Sequence, residues 1–370
     1  CKMIAADLRI IFPENPSKGN WRQMLTRGDV QTQISKLTDS LNILYEVLKL
    51  HVGRDKDLDN IFERVSETRG KLARLTDTSQ LGVSLWFETT MRHIVLHLTP
   101  LSISKKFADF IAEPKRSWVF TSATLMVDGG FTHFQRQMGL DNATTLSLDS
   151  PFDYPNQAML CVPRFLPEPN AREMRATLLD ISIKLVKASR GRCFLLFTSH
   201  ATLNAIASQL KDKIDNPILV QGSTTKRALL ESYLDNKDAV LLGTGAFWEG
   251  VDVRGDDLTC VLIDKLPFAS PDDPLLQARI EDCRKSGGNP FAQLQIPQAA
   301  IALKQGAGRL IRDETDKGVL VICDNRLVTK DYGKIFMGSL PDMHRTRDLQ
   351  KAVDFLHDMH NKKDKVETQT

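Results

Sequence analysis

Lys304-Gln305-Gly306-Ala307-Gly308-Arg309-Leu310-Ile311-Arg312 is the stretch whose reading decides the fold. It follows Pro297-Gln298-Ala299-Ala300-Ile301-Ala302-Leu303, a run of strong helix formers with proline just inside its start. The spacing therefore predicts one helix that carries Gln305, Arg309 and Arg312 on successive turns of one face. A glutamine and two guanidiniums converging on a surface suit a phosphoryl group in a charge-rich transition state, because arginine stays charged and its planar fork matches phosphate oxygens. For the arginines alone, a solvated helix face weakened by glycine is the alternative, and the neighbouring stretches decide between the two.

Those neighbours are Gly243-Thr244-Gly245-Ala246-Phe247-Trp248-Glu249-Gly250-Val251-Asp252-Val253-Arg254-Gly255 and, far upstream, Val119-Phe120-Thr121-Ser122-Ala123-Thr124-Leu125. With the arginine stretch they resemble, in order, motifs V, III and VI of superfamily 2 helicases. The wording from Phe247 to Gly255, followed by Ile263-Asp264-Lys265-Leu266-Pro267-Phe268, resembles the DinG/YoaA branch of the XPD-like iron-sulfur DNA helicases. The match covers roughly the C-terminal two-thirds of the chain.

The resemblance implies an α/β fold: a second RecA-like motor domain with a mostly parallel sheet, preceded by a helical arch-like region and the last strands of a first motor domain. It implies an ATP-dependent helicase that moves 5′ to 3′ on single-stranded or forked DNA in repair and replication, in a bacterial cytosol near the nucleoid. Gln305, Arg309 and Arg312 would then meet the transferred phosphate. Gly243, Glu249, Gly250, Asp252 and Gly308 would line the nucleotide side, and Thr198, Ser199, Thr244 and Gly245 would meet DNA phosphates. Thr121, Ser122 and Thr124 would relay between the nucleotide and the DNA. The cofactors implied are ATP with Mg²⁺, shared with a first motor domain, and a 4Fe-4S cluster whose four cysteines would lie upstream. Relatives of this branch associate with the chi subunit of the polymerase clamp loader, which makes the tail, with His344-Arg345-Thr346-Arg347, a candidate contact.

Composition permits this reading without demanding it. At 370 residues the chain is long enough for two domains, and 42% hydrophobic with 26% charged residues is ordinary for a globular protein. A net charge of +3 admits a nucleic-acid partner. The longest apolar runs are strand-length, far short of a membrane span. Six cysteines are scattered with no C-x-x-C pair, which reads as buried reduced thiols rather than a disulfide framework or metal site; Cys1 alone could be a stray from an upstream set. A start at Cys1 with no preceding methionine predicts a chain cut from something longer.

Taken in order, residues 1–30 read as loop with short helices. Ile34, Leu37, Leu41, Leu44 and Leu48 then form the stripe of an amphipathic helix ended by Gly53. Asn60 with Glu63 can cap the next, which carries Ile61, Val65, Leu72 and Leu75. An antiparallel hairpin results, either part of the arch or an ordinary helical subdomain. Residues 83–87 and 94–98 read as strands, 102–113 as a helix, and 117–120 as a strand delivering Thr121. The Gly-, Asp- and Pro-rich stretch 127–168 reads as a linker. Helix and strand then alternate through 169–340, and Thr198-Ser199-His200 ends a buried strand at the position of motif IV. Trp248 reads as a packing anchor rather than a base stacker, and Asp313-Glu314 as surface charge. In 341–370, Leu349, Val353 and Leu356 share one stripe of a tail helix. The domains expected are 1–80 arch-like, 81–126 end of the first motor domain, 127–168 linker, 169–340 second motor domain and 341–370 tail.

No G-x-x-x-x-G-K-[ST] occurs, and no strand ends in a DExH-type box. The chain alone is therefore expected not to hydrolyse ATP, having no Walker lysine or acidic Mg²⁺ ligand. Two rival readings stand beside the helicase. One is a non-catalytic interaction module on a motor scaffold that binds a replication partner, and the other is an RNA helicase, since phosphate contacts do not read the sugar.

Overall fold

The computed structural model describes residues 1–113, 116–248, 253 and 255–367. The chain divides into two compact units, one from Cys1–Pro114, Gln137–Gly139 and Ala269–Gln293, the other from Lys115–Arg136, Leu140–Phe268 and Leu294–Thr370.

The first unit is built on the expected helical hairpin. Ile34, Leu41 and Leu48 are buried along the Gly28–Lys49 helix, and Val65 and Leu72 along Lys56–Thr76. The second helix starts earlier than expected. Asp55, not Asn60, is its cap, accepting from the amides of Asp57 and Leu58 at 2.8 and 3.1 Å. Asp57 and Asp59 in its first turn suit the positive end of the helix dipole, so the chain becomes helical at the first competent cap. Arg69 crosses between the helices, with Nε donating to Asn42 Oδ1 at 2.8 Å and the guanidinium 3.9 Å from the Tyr45 ring centroid.

Strands β1 (Lys18–Asn20), β2 (Val83–Thr89) and β3 (Ile94–Pro100) form an antiparallel sheet in that order. β1 lies in the stretch expected as loop and short helices; three residues are too few for a periodicity to be visible. Trp21, Val30, Ile34, Leu72, Leu85 and Phe87 join helices and sheet in one core, where Trp21 Nε1 donates to Leu75 O at 2.9 Å. The Pro274–Lys285 helix, expected within the motor domain, packs on this sheet instead: Ser84 Oγ donates to Pro274 O at 3.5 Å.

The second unit holds a parallel sheet of seven strands: β4 (Ala158–Cys161), β5 (Cys193–Leu196), β6 (Ile218–Val220), β7 (Val240–Gly243), β8 (Cys260–Ile263), β9 (Gly318–Ile322) and β10 (His344–Thr346). Their order is β10-β4-β9-β8-β5-β7-β6, every pairing parallel. Strands β4, β5, β7, β8 and β9 are buried at every position, as a sheet covered on both faces requires. The α/β class and the parallel sheet expected from the sequence are therefore found.

The sheet extends beyond 169–340. β4 comes from the stretch read as linker, where four apolar residues are hidden among Pro, Asp and Gly, and β10 from the tail. The tail helix Leu349–Glu367 is no free appendage, for Leu349, Ala352 and Leu356 are buried against the Met174–Ala188 helix and the sheet.

One expected strand is absent. Residues 117–120 pair with no strand among the described residues, and Trp118 and Val119 are 41% and 83% exposed. The alternation of large apolar residues is strand-like, but a strand forms only where another backbone meets its donors and acceptors. Among the described residues, no helix is long and apolar enough to cross a membrane.

Candidate functional site

A parallel sheet presents the C-terminal ends of its strands along one edge, and polar residues follow several of them here. Asp264, directly after β8, is 3% exposed, and its carboxylate accepts from Thr198 N at 2.9 Å and Thr198 Oγ1 at 3.2 Å. Burial lifts this carboxyl to about 7, against the opposing pull of Lys265 and the Thr198 hydrogen bonds. Asp324, after β9 and fully buried, accepts from Leu266 N at 2.9 Å and from Arg326 Nη2 at 2.6 Å. The sequence reading did not single out either carboxylate as part of the site. Their signal was an acidic residue closing a buried strand.

Ser199 caps the His200–Leu210 helix, its hydroxyl accepting from Thr202 N at 3.2 Å. Next to it, in register through Leu196 and Gly243, β7 delivers Thr244, whose amide donates to Gln221 Oε1 at 2.6 Å. The Thr244 hydroxyl donates to the same oxygen at 3.1 Å and lies 3.5 Å from His200 Nε2. Thr198, Ser199 and Thr244 thus lie at neighbouring strand ends, Thr198 held by Asp264 and Thr244 by Gln221, a residue the sequence reading passed over although it follows a short apolar strand directly. Gly245 opens the one-turn helix Gly245–Trp248 and is exposed. The space beside Gly243 is taken by Phe247, whose Cβ lies 2.8 Å from where a side chain would begin.

The arginines sit differently from expectation. The Ile296–Ala307 helix carries Gln305 but ends at Ala307 with Gly308 as its cap, so Arg309 and Arg312 lie beyond it. Two glycines in three residues weaken the last turn, and buried Leu310 and Ile311 draw the chain into the core. Asp316 then fixes the turn. It is 4% exposed, and its Oδ2 accepts from the amides of Arg312 and Asp313 at 2.7 and 2.9 Å while Oδ1 accepts from Gly255 N at 3.0 Å. Arg309 Nε donates to Trp248 O at 3.0 Å. Gly306 also meets that tryptophan: a Cβ there would lie 3.1 Å from Trp248 Cε3. Buried Trp248 is thus the packing anchor expected. Gln305, Arg309 and Arg312 are all half-buried at this corner, and beside them burial holds the Lys304 ammonium below its ordinary pKa.

Glu249, Gly250 and Asp252 lie outside the described residues. Thr121 and Ser122 are exposed and Thr124 half-buried, in a turn where Thr124 N donates to Ser122 Oγ at 3.1 Å; no strand delivers them.

Among the described residues no three His, Cys, Asp or Glu side chains are grouped to hold a metal. Cys161, Cys193, Cys260 and Cys323 are buried in or beside the parallel sheet. Burial pushes the Cys161 thiol up to about 12 and those of Cys193 and Cys323 well above the ordinary range, so these residues do not fit the thiolates an iron-sulfur cluster requires.

The family model described as the helicase C-terminal domain matches residues 182–343. The ATP-dependent DNA helicase YoaA of Haemophilus influenzae is 47% identical over 354 residues, covering 95% of this chain and 55% of that protein. The protein of the same name from Escherichia coli K12 is 49% identical over 356 residues, with the same coverages. The chain thus spans about half the length of these relatives. In fold it is similar to Xpd4 of S. tokodaii, with a TM-score of 0.52 at 15% identity, covering 93% of this chain and 74% of that one. With relatives at 47% and 49% identity matched along 95% of its length, the chain belongs to the DinG/YoaA family, and its likeness to XPD is one of fold.

Proposed function

We propose that this chain is the arginine-supplying part of an ATP-driven DNA helicase. The observation that carries the reading is the linked corner of the parallel sheet: Thr198, Ser199 and Thr244 at adjacent strand ends, and Arg309 hydrogen-bonded to the backbone of the helix that follows Thr244. On this reading the hydroxyls and amides at Thr198, Ser199, Thr244 and Gly245 meet DNA phosphates. Gln305, Arg309 and Arg312 face the nucleotide together with Gly243, Glu249, Gly250, Asp252 and Gly308, and Thr121, Ser122 and Thr124 couple the two.

ATP with Mg²⁺ would supply the transferred phosphoryl group. This chain's part is to present guanidinium charge on a turn held rigid by Asp316 and Trp248, so that little reorganisation accompanies the reaction. The hairpin of residues 1–80 would belong to the arch, and residues 81–126 to the end of a first motor domain. Movement would run 5′ to 3′ on single-stranded or forked DNA. The exposed His344 and Arg345 of β10 would be the contact for a clamp-loader chi subunit.

The test is DNA-stimulated ATP hydrolysis by the full-length protein. Thr244→Val should abolish most of the stimulation by oligo(dT) while leaving basal turnover in place. Equal stimulation of variant and wild type would remove the phosphate role. A stronger response to oligo(rU) than to oligo(dT) would point to the RNA reading.

A further inference from the structure

A second basic surface lies away from the corner that gathers Thr198, Thr244 and Arg309. β4 and β10 stand at the opposite end of the sheet from β7, and their pairing continues past the strands: Val162 N donates to Thr346 O at 3.0 Å and Arg164 N to Arg347 O at 3.1 Å. The two exit segments are thereby held side by side. Between them and the Met174–Ala188 helix runs an open groove of about 570 Å³. Arg164, Lys184, Arg347 and Lys351 line it, and Asp348 is the one carboxylate among its lining residues. That carboxylate is engaged locally, accepting from Gln350 N at 2.9 Å at the start of the tail helix. Arg347 is anchored as well, Nε donating to Val162 O at 3.3 Å.

Four cations at one groove repel one another, and Arg164, Lys184 and Lys351 are exposed. Phe165 sits among them with 56% of its surface exposed. An aromatic face bordered by cations is the pairing that a single-stranded nucleic acid recognises, its phosphates meeting the charges and a base stacking on the ring. An acidic peptide would use the charges but has no need of an exposed ring. We propose that the groove between β4, β10 and the Met174–Ala188 helix is a second binding site for single-stranded nucleic acid, with Phe165 as its stacking platform. The site is independent of the strand-end hydroxyls and is not predicted by the motif that contains Arg309.

The test is fluorescence anisotropy of labelled oligo(dT) and oligo(rU) with the full chain across a salt series, paired with photo-crosslinking of a halogenated oligonucleotide and mapping of the attached peptide. Phe165→Ala should weaken binding about fivefold or more, the least expected from losing one stacked base. Arg164→Ala with Lys351→Ala should weaken binding and lower the slope of log affinity against log salt by about 0.7 for each phosphate no longer neutralised. The crosslink should fall on the peptide containing Phe165 and survive Thr244→Val. Unchanged melting temperatures establish that the variants fold, and Phe165→Tyr should restore binding by restoring a ring. If affinity, salt slope and crosslink are all unchanged in the folded variants, the groove serves a protein partner or none and the proposal fails.

Discussion

Arg309 Nε donates to the carbonyl of Trp248 at 3.0 Å, joining the turn that bears the arginines to the one-turn helix after β7. The same tryptophan packs on Gly306, so a single side chain and its carbonyl set the position of the arginine turn from two directions. Gly306→Ala tests this. Alanine adds up to about 1 kcal/mol of helix propensity, but its methyl would press on Trp248 and approach Ile263 Cδ1 at 3.4 Å. Both neighbours are buried and have little room to move. Overpacking of this kind costs about 1–3 kcal/mol, so the net expectation is a loss of roughly 1 kcal/mol. Urea unfolding measures it, and a gain in stability would show that the ring is free to shift.

Asp316 should matter more than its place in an unremarked charged turn would indicate. Replacing it with alanine leaves three amides without their charged acceptor. Hydrogen bonds to charged groups are worth about 1.5–3 kcal/mol each, and as these share one carboxylate a total of about 3 kcal/mol is expected. Asp316→Asn keeps one good acceptor and should cost about half of that. Denaturant midpoints check the order, and faster proteolysis near Arg312 in Asp316→Ala would locate the loosening.

Asp264 makes stability depend on pH in a definite direction. Its carboxyl titrates near 7 in the folded chain, raised by burial from an ordinary value of 3.8. Between those values the folded state holds a proton that the unfolded chain has released, so stability is fully present below the lower value and is lost as pH rises toward the upper one. The slope from this group is up to about 1.4 kcal/mol per pH unit. Asp264→Asn, which keeps an acceptor for Thr198 N, should flatten the profile between about pH 5 and 7. Thermal unfolding across that range reads the difference, and parallel curves for the two proteins would show that the carboxylate is ionised throughout.

Removing residues 341–370 should destabilise the second unit rather than trim a loose end, because it deletes edge strand β10 and exposes the surface that Leu349, Ala352 and Leu356 cover. Losing three such side chains costs several kcal/mol at about 1.5–3 kcal/mol for each large one. Circular dichroism and melting of the truncated chain check this. Arg345→Ala leaves that core in place and is the better probe of any partner at this edge.

Long, periodic or wholly apolar segments were legible from the sequence. The helix under the Ile34 to Leu48 stripe forms, with Leu44 left exposed, and so do strands β2 and β3 and those around Phe194, Leu241, Leu262 and Leu320. β1 and β10 were not legible: unlike β6, equally short but wholly apolar, their three residues are polar or glycine and acquire their state only from β2 and β4. Residues 117–120 fail in the opposite way: a strand pattern is present, but none of the described strands pairs with it. At the candidate site the residue types were readable, but the carboxylates and the glutamine that hold them were not. Gln221, Asp264 and Asp316 lie 23, 66 and up to 61 residues from the groups they bind, and no local pattern encodes such pairings. The break after Ala307 was visible only as two glycines, and the burial of Leu310 and Ile311 settled it.

The most direct measurement is steady-state ATP hydrolysis by the full-length protein, saturated with single-stranded DNA, carrying Arg309→Ala or Arg312→Ala. An arginine that stabilises the charge on a transferring phosphoryl group is worth about 10³-fold or more in turnover. Each variant should therefore fold, bind nucleotide and lose activity on that scale, with Arg309→Lys failing to restore it because lysine lacks the planar fork. Turnover within a few-fold of wild type in both alanine variants would contradict the account.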